Sequence, residues 1–372
     1  MKIIFACGGT GGHINPALAV ARTIQTYHPN AQIAFVGNEK GMESRLVPQA
    51  GYEFYPIHVA GFQRKISVKN VFRNISAARK AVTSGFEAGK ILKKFAPDLV
   101  VGMGGYVSGP VVRKAHKMGI KTAIHEQNAF PGLTTKMLVK HVDTVMLAMP
   151  AAQKHLPERE YVITGNPVRP DILNITKQQA RARLSMDDQH PFILSFGGSL
   201  GAECINRAMA EVMTKHWNTG KYYHYHGTGK QGWEWMSKHM KDQGVDFAET
   251  SMLRMTEYIN DMDLCMAAAD LVVSRAGAIT LSEIEVQGKA SILIPSPYVA
   301  ENHQYHNAMT LQDRGAALVV EEKNLNGVKL FETMEKLLAD PVKMEKMGKA
   351  AKDGAFADAN ERIYATLMSL LS

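Results

Sequence analysis

Four short stretches carry residue types suited to the chemistry of phosphates and sugars. GGTGGH (Gly8 to His13), GMGGYVSG (Gly102 to Gly109) and GGSLGA (Gly197 to Ala202) each place glycines where a short apolar run gives way to a helical pattern. At such a junction, exposed backbone N–H groups and the positive end of the helix dipole attract an anion, and glycine lets it approach the backbone closely. A tight turn needs glycine as well, but three repeats of the device point to at least one phosphate site. SRAGAITLSE (Ser274 to Glu283) is a fourth junction, and it ends on a carboxylate one helical turn in. Glu283 either accepts the hydroxyls of a ribose, as the acidic residue of nucleotide sites does, or is a solvated helix residue.

HEQN (His125 to Asn128) lies just past a strand end, where an open α/β sheet holds its ligands. Its four polar residues suit sugar hydroxyls or a catalytic base; a self-satisfied loop network is the alternative. His13 is a fair general base near neutral pH, and it also suits orienting a phosphate or capping a turn. Other chemistries fit poorly. Read from Gly9, the dinucleotide pattern GxGxxG finds Ile14 where its third glycine belongs, so a nicotinamide cofactor is weakly supported. GTGKQ (Gly227 to Gln231) lacks the first glycine of a P-loop and has Gln231 in place of Ser or Thr. Asp261 and Asp263 read as helix caps rather than metal ligands. The histidines at 224, 226, 303 and 306 lack zinc-helix spacing and fit strand and loop better, so no metal is expected.

These motifs need a frame. Near-continuous apolar runs at Ile3 to Ala6, Ile33 to Val36, Leu99 to Val101, Thr122 to Ile124, Val145 to Leu147 and Tyr161 to Ile163 predict parallel strands covered on both faces. A second series follows at Phe192 to Phe196, Tyr222 to Tyr225, Leu271 to Val273, Ser291 to Ile294 and Leu318 to Val320. Asn15 as N-cap with Pro16 at the first helical position marks the expected start of the first helix. GNPVRPDI (Gly165 to Ile172) reads as a hinge. The expectation is two α/β domains, 1–165 and 166–354, with a terminal helix of about 355–372 whose Ile363, Leu367 and Leu370 need a surface and so pack back on the first domain.

The 372 residues carry 45% hydrophobic and 21% charged residues, which excludes wholesale disorder and fits a chain with sizeable cores. The net charge of +8 is unevenly spread. Up to Gly165 there are 21 basic and 9 acidic residues, a net +12; the remainder has 22 and 26, a net −4. Three widely spaced cysteines, Cys7, Cys204 and Cys265, suggest a reducing cytosol. The amino terminus reads as a buried strand rather than a signal peptide, and no apolar run is long enough to span a membrane. The stretch Gly61 to Val82 combines Val68, Val71, Phe72, Ile75 and Ala78 with Arg64, Lys65, Lys69, Arg73 and Lys80. It suits either an anionic membrane surface or a core face edged with solvated charge. No stacking-aromatic module or recognition helix supports nucleic-acid binding.

In order along nearly the whole chain, GGTGGH, GGYVSGP, HEQN, GNPVR, GGSLGA, SRAGAITLSE and ENHQYHNA resemble the MurG family of peptidoglycan glycosyltransferases. The resemblance implies an α/β GT-B glycosyltransferase fold, two Rossmann-like domains facing a cleft. It implies metal-independent, inverting transfer of N-acetylglucosamine from UDP-GlcNAc to the C4 hydroxyl of MurNAc in undecaprenyl-pyrophosphoryl-MurNAc-pentapeptide (lipid I), forming lipid II without a cofactor. Donor contacts carried over are Thr10, Gly11, Gly12, Asn128, Arg169, Ser199, Ile259, Ala278, Ile279, Thr280, Leu281, Ser282, Glu283 and Gln304. Ser199 and Arg169 would hold diphosphate, Glu283 ribose, Ile259 uracil through its backbone, and Asn128 and Gln304 the sugar. Acceptor contacts would be Gly104, Gly105, Tyr106 and Ser108, with His13 as base and Glu126 as the other candidate. The family's place is the cytoplasmic face of the cell membrane, peripherally bound and near other cell-wall synthesis proteins. His303, Tyr305 and His306 depart from related sequences around Gln304. A UDP-GlcNAc 2-epimerase and a non-catalytic nucleotide-sugar sensor are the competing readings.

Overall fold

The computed structural model describes residues 1–59 and 83–372, so the basic stretch Gly61 to Val82 lies outside the described residues. The chain divides into two compact units, Met1–Val168 with Asp358–Ser372, and Arg169–Ala357.

The first unit is a seven-stranded parallel sheet of β1 (Lys2–Ala6), β2 (Gln32–Asn38), β3 (Glu53–Ile57), β4 (Leu99–Gly102), β5 (Lys121–Glu126), β6 (Thr144–Leu147) and β7 (Val162–Ile163). Their order is β3-β2-β1-β4-β5-β6-β7. Successive residues of a strand face opposite sides, so β1 feeds two cores. Ile3 and Phe5 join Ile14, Leu18 and Ala21 of the helix Gly11–Tyr27, while Ile4 and Ala6 join Leu92, Val111 and Ala115 on the other side. The double burial is why the strand has no polar alternation. The helix Ala359–Ser369 adds Ile363 and Leu367, both fully buried, to the first layer. Tyr364 stacks on Tyr27 at 4.5 Å, and Asn360 Nδ2 donates to the Val168 carbonyl at 3.2 Å.

The second unit has six parallel strands, β8 (Phe192–Phe196), β9 (Tyr223–Gly227), β10 (Leu253–Thr256), β11 (Leu271–Ser274), β12 (Ala290–Leu293) and β13 (Ala317–Val319). They run in the order β10-β9-β8-β11-β12-β13. Strand order therefore reverses between β1 and β4 in one unit and between β8 and β11 in the other. The carboxyl ends of strands at such a reversal form the crevice where open α/β sheets bind ligands. All four glycine-bearing junctions leave from those four strands.

Three local expectations differ from the structure. The first helix starts at Gly11, with Thr10 in the N-cap position, so Asn15 and Pro16 lie inside it. Pro16 is tolerated there because its missing N–H removes one bond, to the Gly12 carbonyl in the first turn. The strands β3 and β10 were not anticipated; both are sheet edges, half exposed, and their sequences EFYPI and LRMT lack a continuous apolar run. His303 and His306 sit on a helix, His303–Gln312, rather than in a loop. Asp261 does occupy the N-cap of Met262–Ala268, without a side-chain cap bond.

Candidate active site

In the first unit the loops after β1 and β4 lean on each other. A Cβ on Gly105 (φ +76°) would lie 2.2 Å from the Gly8 carbonyl oxygen, so only glycine permits the contact. That carbonyl accepts Nδ1–H of His13 at 3.0 Å, which fixes the tautomer and leaves the Nε2 lone pair for a proton. A Cβ on Gly104 (φ +99°) would meet His13 Cδ2 at 2.6 Å and Nε2 at 3.0 Å, with Gln127 Oε1 at 3.1 Å. Burial lowers the His13 pKa, against the raising influence of the Gly8 hydrogen bond, Glu126 and Glu43. His13 is therefore neutral near pH 7 and competent to accept a proton.

The other residues expected here divide by exposure. Thr10 Oγ1 lies 3.4 Å from His13 Nδ1, and Gly11 and Gly12 form the first turn of the helix. Tyr106 is exposed beside Gly9, and its hydroxyl accepts from Asn38 Nδ2 at 3.3 Å. Ser108 is buried; its hydroxyl lies 2.8 Å from both Ala6 O and Gly104 O, donates to one of them at a time and accepts from Gly104 N–H at 3.1 Å, so it shapes the loop rather than presenting a group to a ligand.

Glu126 does not suit the role of a base. Its Oε1 accepts from the N–H and side-chain Nδ2 of Asn128, both at 3.1 Å, and its Oε2 from Gly132 N–H at 3.0 Å and Thr135 Oγ1 at 2.6 Å. Four donors saturate a buried carboxylate, which then anchors the 126–135 loop and aims Asn128. His125 is equally committed. Its Nε2–H donates to Gly165 O at 3.0 Å, Nδ1 accepts from Gln127 at 3.1 Å, and burial pushes its pKa down to about 4.

In the second unit, the helices Glu203–His216 and Ala278–Val286 start at Ala202 and Gly277, neither of which supplies a side-chain cap. Ser199 stands exposed between Gly198 (φ +93°) and Gly201 (φ +83°). A Cβ on Gly201 would lie 2.1 Å from the Thr228 carbonyl, so this loop packs on the turn after β9 as the first unit's loops pack on each other. Within Ala278 to Glu283, Leu281 is in the core and Ser282 Oγ bonds back to Ala278 O, so their side chains do not face a ligand. Ile279 and Thr280 remain half-exposed in the first turn.

Arg169 and Glu283, expected to hold different parts of a nucleotide, meet directly. Arg169 Nε and Nη2 both converge on Glu283 Oε1, at 3.1 and 3.0 Å. Burial raises the Glu283 pKa and Arg169 opposes it, keeping an anionic acceptor in a site only 7% exposed. Ile259 is buried against Gly227, yet its backbone N–H and C=O make no hydrogen bond among the described residues. Gln304 Oε1 accepts from Ser296 N–H at 2.8 Å, and its helix is entered through two left-handed residues, Glu301 and Asn302. Such strain collects where a loop must be held in one shape. Among the described residues no group of three His, Cys, Asp or Glu side chains is placed to hold a metal.

Two features escaped the sequence. Glu43, fully buried under the first glycine loop, was signalled only by the glycines around it, Gly37 and Gly41. Beneath the second unit's loops, Asn206 Nδ2 donates to Thr228 O at 2.8 Å and His226 Nε2 to Asn206 Oδ1 at 3.2 Å.

Two parallel α/β units, each with glycine-lined loops at its strand reversal, are the architecture of the GT-B fold. Residues 3–147 match the glycosyltransferase family 28 N-terminal domain, and residues 192–363 the family's C-terminal domain. The chain is 43% identical, over 100% of its length and 98% of the relative's, to a UDP-N-acetylglucosamine–N-acetylmuramyl-(pentapeptide) pyrophosphoryl-undecaprenol N-acetylglucosamine transferase of Acetivibrio thermocellus. It is also 43% identical to the transferase of that name from Thermoanaerobacter sp. strain X514, over 100% of both chains. A crystal structure of MurG from Acinetobacter baumannii superposes with a TM-score of 0.78 at 28% identity, covering 99% of each chain. The chain belongs to the MurG family within glycosyltransferase family 28. A UDP-GlcNAc 2-epimerase from Neisseria meningitidis is similar in fold alone, at 14% identity and a TM-score of 0.65 over 99% of this chain and 100% of that one.

Proposed function

We propose that the protein transfers N-acetylglucosamine from UDP-GlcNAc to the C4 hydroxyl of the MurNAc residue of lipid I, forming lipid II. The observation that carries this is the end-to-end 43% identity with transferases of that name. The site chemistry supports it. The acceptor oxygen bonds to the anomeric carbon as the bond to UDP breaks, which inverts configuration to a β-1,4 linkage. His13 Nε2 takes the hydroxyl proton, and Nδ1–H keeps its bond to Gly8 O. Uridine lies on the second unit: Glu283 accepts from ribose, Ile259 offers one backbone donor and one acceptor to the uracil edge, and Gln304 meets the sugar. The N-termini of Glu203–His216 and Ala278–Val286, with Ser199 and Arg169, take up the charge that grows on the diphosphate.

The acceptor is lipid-linked, and no described helix is long and apolar enough to cross a membrane. Peripheral docking of the first unit on the cytoplasmic face fits its surface. Phe86, Leu133 and Met137 are exposed on the sheet face that also carries exposed Lys90, Lys93, Arg113, Lys117 and Lys140. Each basic residue near an anionic surface contributes about 1 kcal/mol.

Transfer of radiolabel from UDP-GlcNAc to lipid I tests the reaction; hydrolysis or epimerisation of the donor without a lipid-linked product refutes it. Co-sedimentation with vesicles tests the docking, which is wrong if binding is indifferent to anionic lipid and to reversal of Lys90 and Lys93.

A further inference from the structure

Glu43 opens the helix Glu43–Gln49 and is fully buried beneath the loop after β1. Its Oε1 accepts from Asn38 N–H at 2.8 Å and its Oε2 from Gly9 N–H at 3.3 Å. The Gly9 N–H belongs to the same peptide group as the Gly8 carbonyl, which accepts Nδ1–H of His13 at 3.0 Å. In a trans peptide the N–H and C=O point in opposite directions, so carboxylate and imidazole bind opposite ends of one amide plane. A carboxylate on the N–H end polarises the amide and strengthens the carbonyl as an acceptor.

The surrounding backbone is shaped to this carboxylate. A Cβ at Gly8, Gly37 or Gly41 would lie 2.2, 2.4 or 2.3 Å from Glu43 side-chain atoms. No arginine or lysine meets Glu43 among the described residues; backbone N–H groups alone compensate its charge. A buried carboxylate without a cation is costly, and an apolar side chain of similar size would fill the same space without that cost. Packing therefore does not explain it.

We propose that Glu43 is a positioning residue for the transfer reaction, acting on His13 through the Gly8–Gly9 peptide. It holds the tautomer with Nδ1–H bonded to the carbonyl and Nε2 bare, and it stabilises the positive charge that the ring gains with the acceptor's proton. The inference rests on His13 being the base. Among the described residues the charged groups acting on His13 are Glu43 and Glu126, both favouring its protonated form against burial. The neighbouring Cys7 thiol and His125 are neutral near pH 7, the first pushed up by burial and the second held at about 4.

The test compares full-length E43Q, E43D and H13Q with the parent protein in a lipid I transfer assay between about pH 5 and 9. E43Q is expected to lose about tenfold in kcat, keep its KM for UDP-GlcNAc, and move the acidic limb of its pH profile to lower pH. E43D, which keeps the charge, should recover part of both. In the H13Q background, E43Q should add no further loss. An E43Q enzyme with the parent's kcat and limb overturns the role of Glu43, provided H13Q is inactive; turnover by H13Q near the parent's rate overturns the base assignment itself. Should E43Q fail to fold, the imidazole nitrogen chemical shifts of His13 in the parent protein decide. A proton on Nδ1 supports the relay, and a proton on Nε2 overturns it.

Discussion

Replacing Gly104 by alanine tests the geometry around His13 most directly. Gly104 has φ +99°, and its added Cβ would sit 2.6 Å from His13 Cδ2 and 3.0 Å from Nε2. The backbone conformation alone costs an L-residue about 1–2 kcal/mol. The ring has to give way as well, because the contact falls on a side chain rather than on backbone. A displacement of about 1 Å at a reacting group costs about a hundredfold in rate. Two further substitutions separate the contributions. Gly119, at φ +74° with nothing within 4 Å of its Cβ, carries the backbone strain alone. Gly105, at φ +76°, drives its Cβ to 2.2 Å from the Gly8 carbonyl, which moves only with the loop itself. Each kcal/mol lost shifts Tm by about 2–4 °C in a unit of this size. G119A should therefore lose a few degrees and no activity. G104A should lose about the same stability and roughly a hundredfold in kcat, with its KM for UDP-GlcNAc intact. G105A should lose both stability and activity. The assays are calorimetry and initial rates at saturating acceptor. A G104A enzyme within about twofold of the parent's kcat, far short of that expected loss, would refute the placement of His13 at the reacting hydroxyl.

The acidic limb of kcat/KM should lie below the ordinary imidazole value of 6.5, because burial lowers the His13 pKa and the base works only when neutral; a limb above neutrality contradicts this. E283A should raise the donor KM by about ten- to a hundredfold with little change in kcat, since it removes a ground-state acceptor. R169A leaves that buried carboxyl without its cation and raises its pKa further, so the donor KM should improve as pH rises and the carboxylate reforms; a pH-independent KM argues against the pair. Stability should fall on acidification. His125 and His226 titrate near 4 when folded but near 6.5 when unfolded, so the unfolded chain binds more protons between those values. Their neutral burial is fully in force above 6.5 and is lost as pH falls towards 4, at about 3 kcal/mol for each. Melting temperatures of H226Q across that interval should show a shallower slope than the parent's, and an equal slope counts against the assignment.

The sequence made the central strands readable because β1, β4, β8 and β11 are buried on both faces, and that burial leaves an unbroken apolar run. The edges β3 and β10 hid because a half-exposed strand keeps polar residues and carries no such signature. The glycine junctions were legible as loops because positive φ at Gly9, Gly104, Gly105, Gly198 and Gly201 strongly favours glycine. What those loops rest on was not. Glu126 looked like a base because carboxylates next to a strand end often act as one; its four donors come from residues up to nine positions away, and only the folded loop brings them together. Pro16 misled because it is common at helix starts, while here the helix gives up one bond so that its first turn can begin in the glycine loop.

The two units anchor equivalent loops by opposite electrostatics, and the contrast follows the chemistry assigned to each. Around the second unit's strand reversal two carboxylates are matched by arginines, Glu283 by Arg169 and Glu322 by Arg275. The loop itself rests on a neutral chain in which His226 Nε2–H donates to Asn206, Ser195 donates to His226 Nδ1, and His224 donates to Ser195. Burial holds His226 and His224 below their ordinary pKa, so this chain of side chains adds no charge beneath the loop. That arrangement suits a diphosphate, which an uncompensated carboxylate would repel. In the first unit Glu43 and Glu126 are compensated, among the described residues, by N–H and hydroxyl donors alone, and both favour a proton on His13. A fixed negative charge there would weaken a diphosphate site, but it strengthens a base. If the charges were exchanged, with an arginine paired to Glu43, the first unit would become the better anion site and His13 the poorer base. The division of labour we propose for the two units thus rests less on the glycine loops, which they share, than on the buried side chains beneath them.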